Sequence, residues 1–372
     1  MKRSAFRKRI TALREKLSNI TPDTLWITQP ENRRYLSGFK AKDVQMTESS
    51  GALLITEMEA LLITDSRYAT EAEKEAVDFD VLTQQKGLQE SLPPILARLG
   101  TRNLGFEENA VTCGFHEELS KKLKKLSPPV RLVPLRGLVD EMREIKERSE
   151  IKAIEASADV MSEILAEVIA SLEPGRRERK VAWQIEGLAH EAGVEDLAFP
   201  PIVASGPHSA LPHAAPTDRK IRDKEPIVLD VGVKLDGYCC DMTRTLFLGT
   251  PGPKFRKIYR VVREAQLSAL QNVLAGMEST LPDSIAREVI NNAGFGEYFG
   301  HALGHGIGLA AHERPRLGPE KPVKLKQGMV ITLEPGIYLP GKGGVRLEEM
   351  VVIEKDGPRI LTRDRHFYDF AI

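Results

Sequence analysis

One segment constrains this chain more than any other. Ile227-Val228-Leu229-Asp230-Val231-Gly232-Val233 is apolar enough for a buried strand, yet it carries an aspartate at its centre. Burying that charge costs several kcal/mol unless it is paired, hydrogen-bonded or bound to a metal. The turn Lys234-Leu235-Asp236-Gly237 follows, and then a second strand from Tyr238 to Leu248 that contains Asp241. With four residues in the turn, Val233 pairs with Tyr238 and Asp230 falls opposite Asp241, their Cβ atoms ~5 Å apart on one face. Like charges at that separation repel, so the arrangement makes sense around a cation or a shared proton.

The pattern recurs near the C-terminus. Met329 to Tyr338 and Val345 to Ile353 are strand-like runs around the turn Pro340-Gly341-Lys342-Gly343-Gly344, and Glu334 and Glu348 are equidistant from Gly341. A hairpin centred there again sets two carboxylates on one face. Between the two hairpins lies Phe299-Gly300-His301-Ala302-Leu303-Gly304-His305-Gly306-Ile307-Gly308, followed by His312. So many glycines exclude a stable helix, and with it the helical i, i+4 histidine pair of a zinc site. A loop or irregular strand is expected, its backbone passing close to something.

Four carboxylates and an imidazole form a hard, oxygen-rich donor set that fits Mn²⁺, Co²⁺, Fe²⁺ or Zn²⁺ better than copper or an iron–sulfur cluster. Four negative charges balance two divalent cations. Paired metals of that kind polarise a carbonyl and activate water, which is the apparatus of hydrolysis. The sequence contains no Gly-x-Ser-x-Gly elbow, no P-loop and no Gly-x-Gly-x-x-Gly after a strand to compete with it.

The rest of the 372 residues fits a two-domain globular protein. From Asp23 to about Leu135, short apolar runs alternate with helical patterns, as in an α/β domain. Ala52–Thr56 and Ala60–Thr64 read as a hairpin, and Leu119–Leu126 as a helix whose lysines form a solvated face, stopped at Ser127-Pro128-Pro129. The boundary is placed near residue 139, giving domains 1–139 and 140–372. The second domain reads as α+β, opening with one long helix from Met142 to Leu172 and adding helices near 178–192 and 254–276.

Charges balance at 53 basic against 53 acidic residues, so no global field draws a nucleic acid or an anionic membrane. No apolar run of ~18 residues offers a membrane span. The basic, amphipathic stretch from Met1 to Leu17 lacks the ~7–15-residue apolar core of a signal peptide. Three cysteines, Cys113, Cys239 and Cys240, are an odd count with two adjacent. They are expected to be small core residues in a reducing compartment, with the cytoplasm as the default location.

Four motifs now stand in a specific order: Asp230…Asp241-Met242-Thr243-Arg244-Thr245, Gly304-His305-Gly306-Ile307-Gly308, Glu334-Pro335-Gly336 and Arg346-Leu347-Glu348. In order and spacing they resemble the metal-binding motifs of the prolidase and aminopeptidase P family, metallopeptidases of the pita-bread fold. Asn32-x-x-Tyr35-Leu36-Ser37-Gly38-Phe39 and Thr64-Asp65-Ser66-Arg67-Tyr68 resemble the creatinase-like N-terminal domain of the same family.

The resemblance implies a C-terminal pita-bread catalytic domain preceded by a smaller α/β domain. It also implies two divalent metals, Mn²⁺ first among them, held by Asp230, Asp241, His305, Glu334 and Glu348, with Asp241 and Glu348 bridging. Glu334 would also handle the proton of the attacking water. His213 and His312 match histidines beside the substrate carbonyl, His301 matches one at the prolyl side, and Arg346 matches an arginine near Glu348.

The implied substrate is a peptide with proline at its second position, cleaved by a cytoplasmic homodimer acting either as a dipeptidase or as an aminopeptidase. The chain departs from the family pattern at His208, Leu303 and Ala310-Ala311, none of them a ligand position. Two alternatives remain: a non-catalytic binding protein of the same fold, and an exopeptidase like methionine aminopeptidase.

Overall fold

The computed structural model describes residues 3–43, 45 and 48–370. The chain divides into two compact units, Met1–Met142 and Arg143–Ile372.

The first unit is built on a six-stranded sheet: β1 Thr24–Ile27, β2 Ala52–Thr56, β3 Ala60–Asp65, β4 Asp80–Gln84, β5 Asn103–Glu107 and β6 Arg131–Leu135. The spatial order is β4-β3-β2-β1-β5-β6, and only β2 runs antiparallel to its neighbours. The expected β2–β3 hairpin is present, with Leu54 opposite Leu61. Helices Gly87–Leu99 and Cys113–Leu123 contribute Leu88, Leu92, Leu96, Leu119 and Leu123 to the core around Trp26 and Phe106. The second of these helices starts six residues before the expected Leu119, where the Thr112 hydroxyl accepts from Phe115 N and caps it. Lys121, Lys124 and Lys125 are exposed, as a solvated face requires. The N-terminal amphipathic stretch forms the helix Arg3–Leu17; Met1 and Lys2 lie outside the described residues.

The second unit is α+β. The long helix expected from Met142 to Leu172 is interrupted: Met142 and Arg143 end a short helix, Leu138–Arg143, that lies mostly in the first unit, and the long helix itself is Arg148–Ala170. The interruption has a tertiary cause, reinforced by a cap. Lys146 N donates to Gly328 O, Ile145 bridges Met329, and Glu147 with Glu150 forms a reciprocal capping box that starts the second helix. Helices Glu178–Glu191 and Pro253–Asn272 correspond to the other two expected, and Thr280–Asn292 adds one the sequence reading did not identify. Ile258, Val262, Ala265 and Ala269 recur at helical spacing and pack with Ala286, Ile290, Ile331, Leu333, Val351 and Ile353 in one core.

The strands of this unit are β7 Asp196–Leu197, β8 Ile202–Ser205, β9 Ile227–Val231, β10 Val233–Leu235, β11 Tyr238–Cys239, β12 Met242–Leu246, β13 Gly304–Gly306, β14 Glu313–Leu317, β15 Val330–Leu333, β16 Gly336–Leu339, β17 Gly343–Arg346, β18 Glu349–Glu354 and β19 Gly357–Ile360. They form the sheets β12-β9-β8, β11-β10-β7, β14-β13-β15-β18-β19 and β16-β17. Cys239 and Cys240 are core residues, but Cys113 is exposed, because it starts a helix instead of filling an interior position. Among the described residues no helix is long and apolar enough to cross a membrane.

Candidate metal centre and active site

The first hairpin differs from expectation by two residues. Leu235 pairs with Tyr238, so the turn has two residues, Asp236 at φ 49° and Gly237 at φ 87°. Both are left-handed, the conformation that an Asp-Gly pair supplies readily in a tight hairpin. Asp230 therefore faces Thr243, not Asp241. A slip of two leaves the strand parity unchanged, so Asp230 and Asp241 still project to one face as diagonal neighbours.

The C-terminal hairpin keeps the expected register. Leu333 pairs with Glu349 and Gly336 with Arg346, which places Glu334 across from Glu348 in the short gap between two sheets. Each carboxylate is fixed through its backbone: Glu334 N donates to Leu303 O at 2.8 Å and Glu348 N to Thr243 O at 3.1 Å.

His305 lies in β13, between β14 and β15. A Cβ on Gly304 would sit 2.0 Å from Thr332 O, and one on Gly306 would sit 2.1 Å from Arg314 O. The glycines flanking His305 are thus demanded by two backbones that press on the strand from either side. His305 Nδ1 is 3.0 Å from Gly306 O, which directs its N–H there and leaves the Nε2 lone pair facing inward. Nε2 is 3.4 Å from Glu334 Oε1 and 3.7 Å from Asp241 Oδ2. Burial and the nearby His312 lower the pKa of His305 to about 4, so the ring is neutral and competent as a ligand.

Donor atoms of Asp241, His305 and Glu348 all lie within 4.8 Å of one another. Asp241 and Glu334 are pushed well above ordinary carboxylate values by burial and by neighbouring carboxylates, and Glu348 rises to about 8 for the same reasons. Asp230 Oδ1, Asp241 Oδ1 and Glu348 Oε1 are buried without a hydrogen-bond partner. Orphaned carboxylate oxygens that converge on one neutral imidazole fit divalent cations, which would supply the missing partners and the missing positive charge.

A second set of groups borders this cluster. Arg346 Nη2 donates to Asp230 Oδ2 at 2.6 Å, and its Nη1 donates to Tyr338 Oη at 2.9 Å and to Pro212 O at 3.1 Å. Tyr338 Oη is also 2.9 Å from His301 Nε2, and His301 Nδ1 is 2.8 Å from Ala302 O. Arginine can only donate, so the tyrosine proton goes to His301, whose pKa burial lowers to about 4. His312 is exposed, its ring centroid 4.3 Å from that of His305. Behind it, Glu313 pairs with Arg143 and with Lys146 and accepts from Ala310 N, closing the turn that carries His312. His213 is exposed and follows Pro212, near enough to His301 to depress its pKa.

The sequence reading missed three supporting groups. Tyr338 links Arg346 to His301, Thr243 Oγ1 donates to Glu348 Oε2 at 2.9 Å, and Thr332 Oγ1 accepts from His305 N at 3.1 Å. Tyr338 was within reach: Glu334, Gly336 and Tyr338 alternate in a way that puts them on one strand face. Leu303, one of the departures from the family pattern, is a core residue.

Comparison with known proteins identifies the family. The model of metallopeptidase family M24 matches residues 152–355, more than half of the chain, and that of the creatinase/prolidase N-terminal domain matches residues 9–145. A Xaa-Pro dipeptidase of Pyrococcus horikoshii is 36% identical over 92% of this chain and 93% of its own length. Among solved structures, a Xaa-Pro dipeptidase from Bacillus anthracis superposes with a TM-score of 0.91 at 33% identity, covering 97% of this chain and 98% of that one. An X-Pro aminopeptidase from Thermotoga maritima gives 0.83 at 34% identity, covering 94% and 97%. With its carboxylate-rich centre in an α+β unit behind a creatinase-type domain, the chain belongs to metallopeptidase family M24.

Proposed function

We propose that the chain hydrolyses the bond between an N-terminal residue and a following proline, with two divalent metals held by Asp230, Asp241, His305, Glu334 and Glu348. The observation that carries this reading is the set of buried, partnerless oxygens on Asp230, Asp241 and Glu348 around the neutral His305. Divalent ions held there would polarise the scissile carbonyl and make a bound water acidic enough to attack near neutral pH. Asp241 and Glu348 would be the ligands shared by the two ions, and Mn²⁺ is the proposed metal.

In this reading Glu334 takes the proton of the attacking water. His213 and His312 donate toward the oxyanion that develops on the carbonyl, where a positioned donor contributes most. His301, held by Tyr338, borders the prolyl ring. Arg346 spans Asp230, Tyr338 and the Pro212 carbonyl, and so couples the ligand cluster to the loop that carries His213. The prolyl imide lacks an N–H and has a fixed φ, so a pocket that recognises it need offer no acceptor at that position. A homodimer in the cytoplasm is the proposed setting.

A panel of peptides tests the reading. Xaa-Pro and Xaa-Pro-Xaa should be cleaved in the metal-loaded protein, and Xaa-Ala analogues at least ~10-fold more slowly, as a site built around the imide demands. The preferred length separates a dipeptidase from an aminopeptidase. Equal turnover of proline and alanine peptides would overturn the proline assignment.

A further inference from the structure

Glu178, the first residue of helix Glu178–Glu191, has a completely buried side chain and is no part of the ligand cluster. Its Oε1 accepts from Ser205 N at 2.7 Å and Ser205 Oγ at 2.8 Å. Its Oε2 accepts from Thr217 N at 3.1 Å and Thr217 Oγ1 at 2.6 Å, and lies 2.8 Å from His208 Nδ1. Five donors exceed the roughly four lone-pair sites of a carboxylate, so the group is saturated. Burial pushes this carboxyl up, but the bonds from Thr217 and Ser205 and the nearby His208 outweigh it and hold the pKa below the ordinary glutamate value.

These donors come from the two ends of one irregular segment. Ser205 ends β8, Thr217 lies twelve positions later, and the only helical element between them is the short 3₁₀ turn Gly206–Ala210. His213 lies inside that segment and is itself exposed. The segment is also held by Gly206 N donating to Pro226 O at 2.8 Å, by Arg179 N donating to Thr217 O at 2.9 Å, by Gly344 N donating to Ser209 Oγ at 2.8 Å and by Arg346 Nη1 on Pro212 O. Among the described residues, Glu178 is thus the one side chain that bonds both Ser205 and Thr217, at the two ends of the loop that presents His213. His208, one of the departures from the family pattern, is one of its five donors.

We propose that Glu178 is a positioning residue for His213 and that His208 serves the same clamp instead of contacting substrate. The inference rests on the reading of His213 as a donor to the substrate carbonyl. Glu178→Gln puts an amide N–H₂ where acceptors are needed on at least one side, so one end of the loop is released. A shift of ~1 Å in a catalytic donor costs up to about 100-fold in rate. Glu178→Gln should therefore lower kcat about 10- to 100-fold while KM changes less than about threefold and bound metal per chain stays at the wild-type value.

The deciding experiment is a double-mutant cycle on kcat with His213→Ala. If Glu178 acts through His213, the double variant is within about twofold of His213→Ala alone, because residues that act as a unit are not additive. Multiplying effects would overturn the proposal and leave Glu178 a merely structural residue. Wild-type kcat in His213→Ala alone would instead overturn the reading of His213, and the proposal with it. Should Glu178→Gln fail to fold, His208→Ala removes one donor of five and carries the same cycle, with a kcat loss of about 3- to 10-fold expected for one positioning hydrogen bond.

Discussion

The crowding of carboxylates leads to a counterintuitive prediction: removing a ligand charge should make the metal-free protein more tolerant of alkaline pH. Glu348 is raised from 4.5 to about 8 by burial and by Asp230, which outweigh the lowering effect of Arg346 and of the hydrogen bonds from Thr243 and Asp241. A carboxyl that binds its proton more tightly in the folded state stabilises that state below its unfolded pKa, and this contribution is lost as pH rises through the folded value. Integrating between pH 5.5 and pH 8 with these two pKa values gives a loss of about 3 kcal/mol from this one group. For a unit of this size that corresponds to roughly 6–12 °C in melting temperature.

Glu348→Gln carries no ionisable proton. It keeps an acceptor for Thr243 Oγ1 and offers an N–H toward Asp241, so little packing is lost. The assay is calorimetric melting of chelator-treated wild-type and variant protein at pH 5.5 and pH 8, repeated with saturating Mn²⁺. The wild type should fall more steeply with pH than the variant in the absence of metal. Added metal should raise the wild type at pH 8, by about 2.7 kcal/mol at 100 times the dissociation constant, and raise the variant much less. Parallel pH slopes for the two metal-free proteins would show instead that Glu348 is not held at a raised pKa.

Three further outcomes are expected. Thr243→Val removes the hydroxyl that orients Glu348 and should weaken metal binding about 10- to 100-fold in a calorimetric titration while the fold is retained. Gly304→Ala drives a Cβ to 2.0 Å from Thr332 O and should destabilise the protein by at least the ~1–3 kcal/mol of an overpacked core, read as a lowered melting temperature. Tyr338→Phe cuts the link between Arg346 and His301 and should lower kcat/KM about 10-fold, as one lost hydrogen bond to a charged group implies, with metal content unchanged.

Much of the centre was legible because strand periodicity and turn position together determine which residues share a face. Glu334 and Glu348 could be paired by counting from Gly341, since an uninterrupted register runs through β15–β18 and β16–β17. Asp230 and Asp241 could be assigned to one face but not to one rung, since the two-residue Asp236-Gly237 turn and a four-residue turn differ by a parity-preserving slip. The break at Glu144–Glu147 was hidden because its cause is remote: residues 145 and 146 pair with 328 and 329, a contact no helical periodicity reveals. Glu178 was invisible for the same reason. A glutamate in a first helical turn looks like an ordinary dipole partner until Ser205, His208 and Thr217 are folded onto it. The glycines around His305, by contrast, announced a backbone constraint whose source only the neighbouring strands could supply.

If five side chains of one chain hold two catalytic divalent ions, activity returns in step with metal binding. Chelator-stripped protein is titrated with Mn²⁺ while bound metal per chain and hydrolysis of a Xaa-Pro dipeptide are recorded in the same samples, alongside Asp241→Ala. No turnover is expected without metal, recovery should saturate as two ions bind per chain, and Asp241→Ala should reach neither full binding nor turnover. Turnover that persists in metal-free protein, or full recovery in metal-loaded Asp241→Ala, would contradict the two-ion site.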